Sequence, residues 1–555
     1  MITTLPVNVA ARLSEMARQQ PHTLAIAYPE GRDHNGRINY VRWSYSQLDK
    51  ESDRLAWGLQ SAGIRCGTRT VLMVKPSLEF FAVTFALFKV GAVPVLIDPG
   101  MGVRPLGQCL AEAQPEAFIG IPKAQIARVL FGWAKRTLKI VVTVGKRWFW
   151  SGLTLDQLRE AGHVDVPFGS RDVGSEDTAA ILFTSGSTGP PKGVVYTHGN
   201  FAAQVDLLRE LYGIEPGEID LPTFPLFGLF APALGMSAVI PEMDFTRPAL
   251  VDAGKIFEAI GDFHVTTMFG SPALLDRVAD YGADRGYHLP SLRRVISAGA
   301  PVRADILERF TPMLPSGTEA FTPYGATEAL PVCSIGTDEI LRETAAKTAQ
   351  GQGICVGRPV KPMKVRVITI TDAPIPAWSD DLLVANGTVG EIVVQGPVVT
   401  KEYFNRPQAT VLAKITGPNG EGLYHRMGDL GRFDEQGRLW FYGRKSQRVV
   451  TGEETLFTIP SESIFNNHSS VRRTALVGVV KKGCSIPVLC VELRRKGTHA
   501  DRTRIEGELL EMGAAAVFTQ SIKKVLFHPA FPVDIRHNAK IFREKLATWA
   551  ARQIS

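Results

Sequence analysis

Cysteine is scarce in this chain: six in 555 residues, at positions 66, 109, 333, 355, 484 and 490. No two form a C-x-x-C pair, which excludes a thiolate zinc site or a disulfide framework and fits a reducing cytosol. The 11 histidines show no metal-ligand spacing, and no Ser-His-Asp order emerges. Internal repeats and low-complexity tracts are lacking. The first six residues, MITTLP, have neither the basic start nor the apolar core of a secretory leader, so a cytoplasmic protein is expected. One uncharged stretch, 221–241, is long enough to cross a bilayer. Pro222, Pro225, Pro232 and Pro241, with Gly228 and Gly235, would break a helix there repeatedly. We read it as buried strand, turn and helix start near an apolar pocket, and expect no transmembrane segment.

Net charge is +7, unevenly placed: after residue 442 there are 19 Lys/Arg against 10 Asp/Glu, while the remainder is slightly acidic. Aromatic residues do not alternate with these charges and no nucleic-acid motif appears, so no nucleic-acid partner is expected. By charge alone nucleic-acid binding is one reading, and a small basic domain closing over a phosphorylated ligand is at least as natural. With 45% hydrophobic and 21% charged residues, the chain is an ordinary globular one, long enough for one large assembly and a smaller domain.

Residues 46–62 pattern as an amphipathic helix, 70–74 as a strand, 80–90 as a helix and 93–97 as a strand. A strand over 263–269, a helix from Pro272 and a strand over 294–297 repeat the alternation. Such alternation implies βαβ units and a largely parallel sheet. Beyond about 355 the texture turns β-rich, with short strands over 364–371, 391–395 and 439–442. The composition shifts at Gly443-Arg444-Lys445-Ser446. The expected class is α/β: a large N-terminal domain of parallel-type sheets and helices with a small β subdomain (1–442), a hinge (443–446) and a smaller, mobile α+β domain (447–555). Residues 341–353 are polar and helix-prone without an apolar face, and are expected to form a mobile excursion beside the site.

The densest chemistry lies at 181–200, ILFTSGSTGPPKGVVYTHGN. An apolar strand delivers the backbone into Thr184, Ser185, Gly186, Ser187, Thr188 and Gly189, with Lys192 beyond two prolines. Small residues leave backbone N–H groups bare, hydroxyls add donors and Lys192 adds charge, so the loop suits a polyphosphate. It is not a Walker A loop, because Gly193 rather than Ser or Thr follows the lysine. At Tyr324-Gly325-Ala326-Thr327-Glu328 an aromatic can stack a base, a hydroxyl can hold phosphate, and a carboxylate can hold Mg²⁺. Ser297-Ala298-Gly299-Ala300-Pro301 offers small residues where a flat ring could approach backbone. Asp429 could accept both ribose hydroxyls, and Lys540 is a candidate reactive cation.

In this order the motifs resemble the adenylate-forming superfamily of acyl-CoA synthetases, luciferases and peptide-synthetase adenylation domains. The resemblance runs nearly end to end, through TSGSTGPPKG (184–193), SAGAP (297–301), YGATE (324–328), VGRP (356–359), GEIVVQGP (390–397), YFNRPQAT (403–410), MGDL (427–430), GR (443–444) and AKI (539–541). It implies ATP attack by a carboxylate to give acyl-AMP and pyrophosphate. By position, Thr184 to Gly189 and Lys192 would hold the phosphates, with Thr184 also placed at the metal. Tyr324, Gly325, Ala326, Gly299, Ala300 and Pro301 would hold the adenine. Thr327 would contact the α-phosphate, Glu328 the Mg²⁺, and Asp429 with Arg444 the ribose. Lys540 would swing in with the C-terminal domain.

Departures from the pattern bear on the substrate. Many acyl-activating relatives carry His after Pro-Leu-Phe; here Phe224-Pro225-Leu226-Phe227 precedes Gly228, consistent with a wide apolar pocket among Phe224, Phe227, Phe230 and Met236, or with a simple core swap. The hinge position falls on Lys445 or Ser446 rather than Asp, and the spacing over 451–464 differs from CoA ligases. Within the superfamily the chain is most similar to the olefin β-lactone synthetases of bacterial hydrocarbon synthesis. That resemblance implies adenylation of a long-chain 2-alkyl-3-hydroxyalkanoic acid, then attack by its own 3-hydroxyl to expel AMP and close a β-lactone. It also implies no need for CoA, and association with other enzymes of the hydrocarbon pathway. Holding the nucleophile within the substrate supplies about 7–11 kcal/mol through proximity. No base for that hydroxyl is evident. The alternatives are a long-chain acyl-CoA ligase and a non-catalytic nucleotide- or acyl-binding protein.

Overall fold

The computed structural model describes residues 7–184, 190–481, 484–533 and 541–554. Two seven-stranded sheets form its larger part. The first runs Glu319–Phe321, Arg294–Ile296, Thr267–Phe269, Ile219–Pro222, Ser237–Val239, Leu24–Arg32, Ile38–Ser44, parallel except for the last hairpin. The second runs Leu153–Thr154, Ile140–Thr143, Ala117–Gly120, Arg69–Met73, Val93–Ile97, Thr178–Thr184, Lys192–Thr197, again with one antiparallel edge pair. Helices cover the faces, which is why central strands such as Val93–Ile97 and Ala117–Gly120 are nearly all apolar.

The helix Leu78–Val90 is apolar almost all round and buries twelve of its thirteen residues. Ser77 caps its first turn, and Gly91 in the left-handed region (φ 75°) ends it. Its lone buried cation, Lys89, is matched by Asp49 at 2.7 Å and Asp53 at 2.5 Å, both on the neighbouring helix Tyr45–Ser61. Burial raises the Asp53 carboxyl and Lys89 opposes that rise.

A smaller antiparallel sheet follows: Ile354–Cys355, Leu439–Arg444, Leu423–Phe433, Gly390–Gln395 and Lys364–Ile368, with Lys414–Thr416 alongside Leu423–Phe433. Gly443 and Arg444 end a strand, and one 3-10 turn, Lys445–Gln447, leads out of it. Lys445 reaches back to the Thr371 carbonyl at 2.8 Å and Glu391 at 3.1 Å; Arg448 pairs with Asp372 at 2.7 Å. In the last sheet Cys484–Leu493 lies between Val471–Lys481, antiparallel, and Lys524–Phe527, parallel, packed on the helices Thr458–Asn466, His499–Ala515 and Arg543–Ile554. The architecture is the α/β class expected: parallel-type sheets with helices, then an antiparallel sheet within 354–444 and a smaller C-terminal unit with a mixed sheet.

Two local expectations differ. Phe263 ends the helix Ala253–Phe263, and only Thr267–Phe269 is strand, because His264 in the left-handed region terminates the helix between them. The polar stretch after 340 is a packed connector rather than an excursion. Ile340 and Leu341 lie on an apolar cluster, Glu343 pairs with buried Arg438 at 2.7 Å, and Asn467 donates to the Ala349 carbonyl at 2.8 Å. Within 221–241, strand, two short helices and strand succeed one another, and among the described residues no helix is long and apolar enough to cross a membrane.

Removing Lys89 leaves Asp49 and Asp53 without their buried cation, so Lys89→Ala is expected to lower unfolding free energy by about 3–5 kcal/mol in urea titration. His198 begins the helix His198–Tyr212, where burial holds its imidazole down to about 4 against a weaker pull from Asp177. Its folded value lies below the unfolded one, so its stabilisation is complete above about pH 6.5 and lost as pH falls towards 4. Comparing melting temperatures across that window, His198→Asn should show a shallower decline than the parent, with a limiting difference of at most about 3 kcal/mol.

Candidate active site

In open parallel sheets ligands gather beyond the carboxyl ends of the strands, and the predicted segments leave from those ends. Thr223 and Phe224 follow Ile219–Pro222, Ser297 to Pro301 follow Arg294–Ile296, and Thr322 to Glu328 follow Glu319–Phe321. In the second sheet, Thr178–Thr184 runs out at the hydroxyl-rich loop and returns as Lys192–Thr197, with Thr184 and Lys192 directly paired. Ser185, Gly186, Ser187, Thr188, Gly189 and Lys540 lie outside the described residues, as does the Thr184 side chain.

Gly193 shows why a glycine must follow the lysine. A Cβ there would stand 2.8 Å from the Phe183 ring, and the Gly193 carbonyl accepts from the Phe404 amide at 2.7 Å. This close approach brings Tyr403, bridged to Val194, beside Lys192. The Lys192 Nζ sits 4.7 Å from the centre of the Tyr403 ring, and the Tyr403 hydroxyl donates to Glu328 Oε1 at 2.7 Å. One tyrosine thus supports both the lysine of the phosphate loop and the carboxylate of YGATE. Burial and Glu328 together push its phenol far up.

Gly325 and Ala326 belong to the tight hairpin Tyr324–Ala326 with Ala329–Ser334. Tyr196, stacked on Phe201, donates its hydroxyl to the Thr327 carbonyl. Thr400 fixes the Glu328 carbonyl through its amide at 2.9 Å, and Lys414 donates to the Thr400 carbonyl. Burial pushes the Lys414 ammonium down to about 7, with Glu328 pulling the other way. His425, opposite Lys414 in the ladder, is driven well below the usual imidazole range by burial and by the Lys414 charge.

Asp429 and Arg444 face one another across the strands Leu423–Phe433 and Leu439–Arg444, their charges 3.0 Å apart. The Tyr324 hydroxyl donates to the other Asp429 oxygen at 2.7 Å. Burial raises the Asp429 carboxyl; Arg444 and Tyr324 oppose it. The Tyr324 ring lies 6.1 Å from Phe441. Ser297, at the neck of the small-residue turn, keeps a buried hydroxyl with no protein partner.

Among the described residues, Lys192 and Arg444 lie beside the carboxylates Glu328 and Asp429, with the depressed Lys414 ammonium behind Glu328, and cations so placed suit a polyphosphate. Glu328 engages Tyr403 through one oxygen. Among the described residues no cluster of three His, Cys, Asp or Glu could hold a metal alone. One carboxylate plus substrate phosphates is the ligand set Mg²⁺ takes, so the residues fit that ion in company with ATP.

The proposed acyl-side residues divide. Phe227 stacks on Phe269 at 4.1 Å and adjoins Phe224 at 5.6 Å, at the strand ends. Phe230 packs edge-on to Phe201, towards Tyr196 and Thr327. Met236 is buried in the core, its carbonyl accepting from Tyr45 at 2.8 Å. A Cβ on Gly228 would meet Pro222 at 2.9 Å and Phe81 at 3.4 Å, so in this arrangement the glycine permits close packing. Sequence reasoning did not single out Tyr196, Tyr403, Lys414 or His425. The signal available was that Tyr403 opens YFNRPQAT, a segment that otherwise has no chemical role.

A model of the AMP-binding enzyme family matches residues 13–404. The chain is 52% identical over 554 residues to an olefin beta-lactone synthetase of Stenotrophomonas maltophilia, covering 99% of both chains. It is also 52% identical over 558 residues to one of Xanthomonas campestris pv. campestris, covering 100% of this chain and 99% of that one. Among solved structures, the amide bond synthetase McbA from Marinactinospora thermotolerans superposes with a TM-score of 0.77 at 21% identity, over 98% of this chain and 99% of that one. The ordered motifs, the matched length and the full-length identity together lead to one assignment: the chain belongs to the AMP-binding, adenylate-forming enzyme family.

Proposed function

We propose that this AMP-forming ligase activates a long-chain 2-alkyl-3-hydroxyalkanoic acid with ATP and then closes the product to a β-lactone. The observation that carries the reading is the end-to-end 52% identity to olefin beta-lactone synthetases. In the first step a carboxylate oxygen attacks the α-phosphorus, forming acyl-AMP and expelling pyrophosphate. In the second, the substrate's 3-hydroxyl oxygen attacks the acyl carbon, the bond to AMP breaks, and the hydroxyl proton is lost. CoA has no place in this sequence.

The residues have the following proposed tasks. The loop 184–189 and Lys192 bind the phosphates, and Tyr403 holds Lys192 and Glu328 in register. Glu328 serves Mg²⁺, which supplies charge neutralisation on the phosphates when bound. Thr327 lies against the α-phosphate, Asp429 and Arg444 take the ribose, and Tyr324 with Gly299, Ala300 and Pro301 borders the adenine. Phe224, Phe227 and Phe230 flank the acyl chain. Residues 447–555 form a lid turning about 443–446 to deliver Lys540, where a preorganised donor is worth roughly 10²–10³ in rate.

Purified protein with ATP, Mg²⁺ and such an acid is expected to yield lactone, AMP and pyrophosphate without CoA. An acyl-CoA formed only when CoA is present would replace this reading with a long-chain acyl-CoA ligase. No carboxylate-dependent pyrophosphate release would leave a nucleotide- or acyl-binding protein. Tyr403→Phe keeps the ring beside Lys192 but deletes the bond to Glu328, and should slow pyrophosphate release about 10- to 100-fold. Tyr403→Leu should be slower still; full activity in both variants refutes the positioning role.

A further inference from the structure

Residues 117–155 carry seven Lys/Arg and no Asp or Glu, although the chain before residue 443 is slightly acidic as a whole. Six of the seven, Lys123, Lys135, Arg136, Lys139, Lys146 and Arg147, are exposed. The same segment displays large apolar side chains to solvent: Leu130 is 71% exposed, Phe131 54%, Trp148 57% and Phe149 70%. Large apolar side chains exposed in adjacent pairs, Leu130 with Phe131 and Trp148 with Phe149, are the kind of surface that marks interaction sites.

These side chains flank one strand. Leu130 and Phe131 end the helix Pro122–Leu130 just ahead of Ile140–Thr143, and Trp148 and Phe149 lie in the loop just after it. Ile140–Thr143 is next to the sheet margin, covered outside only by the two-residue strand Leu153–Thr154. Four residues of strand span about 13 Å, so the two protrusions bracket one sheet edge.

Each protrusion is mounted on a buried tryptophan. Phe131 stacks on Trp133 at 5.7 Å, and a Cβ on Gly107 would stand 3.2 Å from the Trp133 indole nitrogen. Trp148 and Phe149 rest on Trp150 at 6.1 and 5.1 Å, and the Trp150 indole donates to the Thr143 hydroxyl at 2.8 Å. The exposed rings are therefore held out from the sheet by packing beneath them.

We propose that this edge docks the protein on an anionic lipid bilayer, with Leu130, Phe131, Trp148 and Phe149 entering the headgroup boundary and the surrounding Lys and Arg facing lipid phosphates. Aromatic and leucine side chains beside basic ones are the composition that interfacial binding uses. Lys139 is paired with Glu116 at 3.2 Å, and the remaining exposed cations of the segment complement an anionic leaflet, where each basic residue adds attraction within a Debye length. An acidic protein partner would be met by the charge but gives no role to four splayed apolar side chains. The proposal is independent of the acyl acceptor, because docking is read without substrate.

The test is co-sedimentation of the full-length protein with phosphatidylcholine vesicles, with and without phosphatidylglycerol. Binding is expected only where phosphatidylglycerol is present, and is expected to weaken as salt rises. The pairs Trp148→Ser with Phe149→Ser, and Lys135→Glu with Arg136→Glu, should each lower vesicle affinity about tenfold or more. Melting temperature and pyrophosphate release with a soluble acid should be unchanged in both. Failure of the parent to bind phosphatidylglycerol vesicles, or equal binding by parent and variants, overturns the proposal. So does concentration-dependent self-association that the same variants abolish, since the face would then join copies of this chain.

Discussion

A carboxylate taken out of water has to be matched by donors and cations, and at Glu328 and Asp429 that requirement decides how distant segments meet. Glu328 is answered by Tyr403, which arrives beside Lys192 only because Gly193 lets two backbones touch. Asp429 is answered by Arg444 across the ladder and by Tyr324 from the neighbouring hairpin. Four pieces of chain separated by up to some 250 residues are thereby tied into one floor. Lys192 and Arg444 remain at this floor as the cations a polyanion would meet.

Most of the larger pattern was legible in the residues. Continuous apolar runs such as Val93–Ile97 and Ala117–Gly120 state their own burial on both faces, and alternation with helices implies their parallel order. The phosphate loop and YGATE could be read because they occur in order with SAGAP and MGDL along one chain, although each alone is a common loop or turn. The chemistry around Glu328 was less visible. Lys414 and His425 sit in strands that were not singled out from the residues, and their proximity depends on the register of one antiparallel pair. Register is a tertiary outcome and leaves no local mark. Residues 341–353 misled for a related reason: the contacts that hold them come from Arg438 and Asn467, far along the chain.

Gly228 shows how a single difference from relatives can carry opposite meanings. Read along the sequence, loss of a histidine suggests room. Read in three dimensions, the missing side chain is replaced by Pro222 and Phe81, and the half-buried aromatics nearby are Phe227, stacked on Phe269, with Phe224 beside it. The rings proposed for the acyl side stand at the carboxyl ends of two adjacent strands.

Lys445 leads out of the sheet and grips Glu391, yet Glu391 is already held by Arg426 at 2.7 Å, both almost wholly buried. Rotation of the C-terminal unit about the proposed hinge would pull Lys445 away without stranding a bare carboxylate behind it. Breaking a buried pair ordinarily costs several kcal/mol because one charge is left uncompensated. Here the second cation acts as a standing substitute. On the proposed hinge motion the joint would open and re-form with little penalty on the side that stays behind, which is what the proposed lid requires.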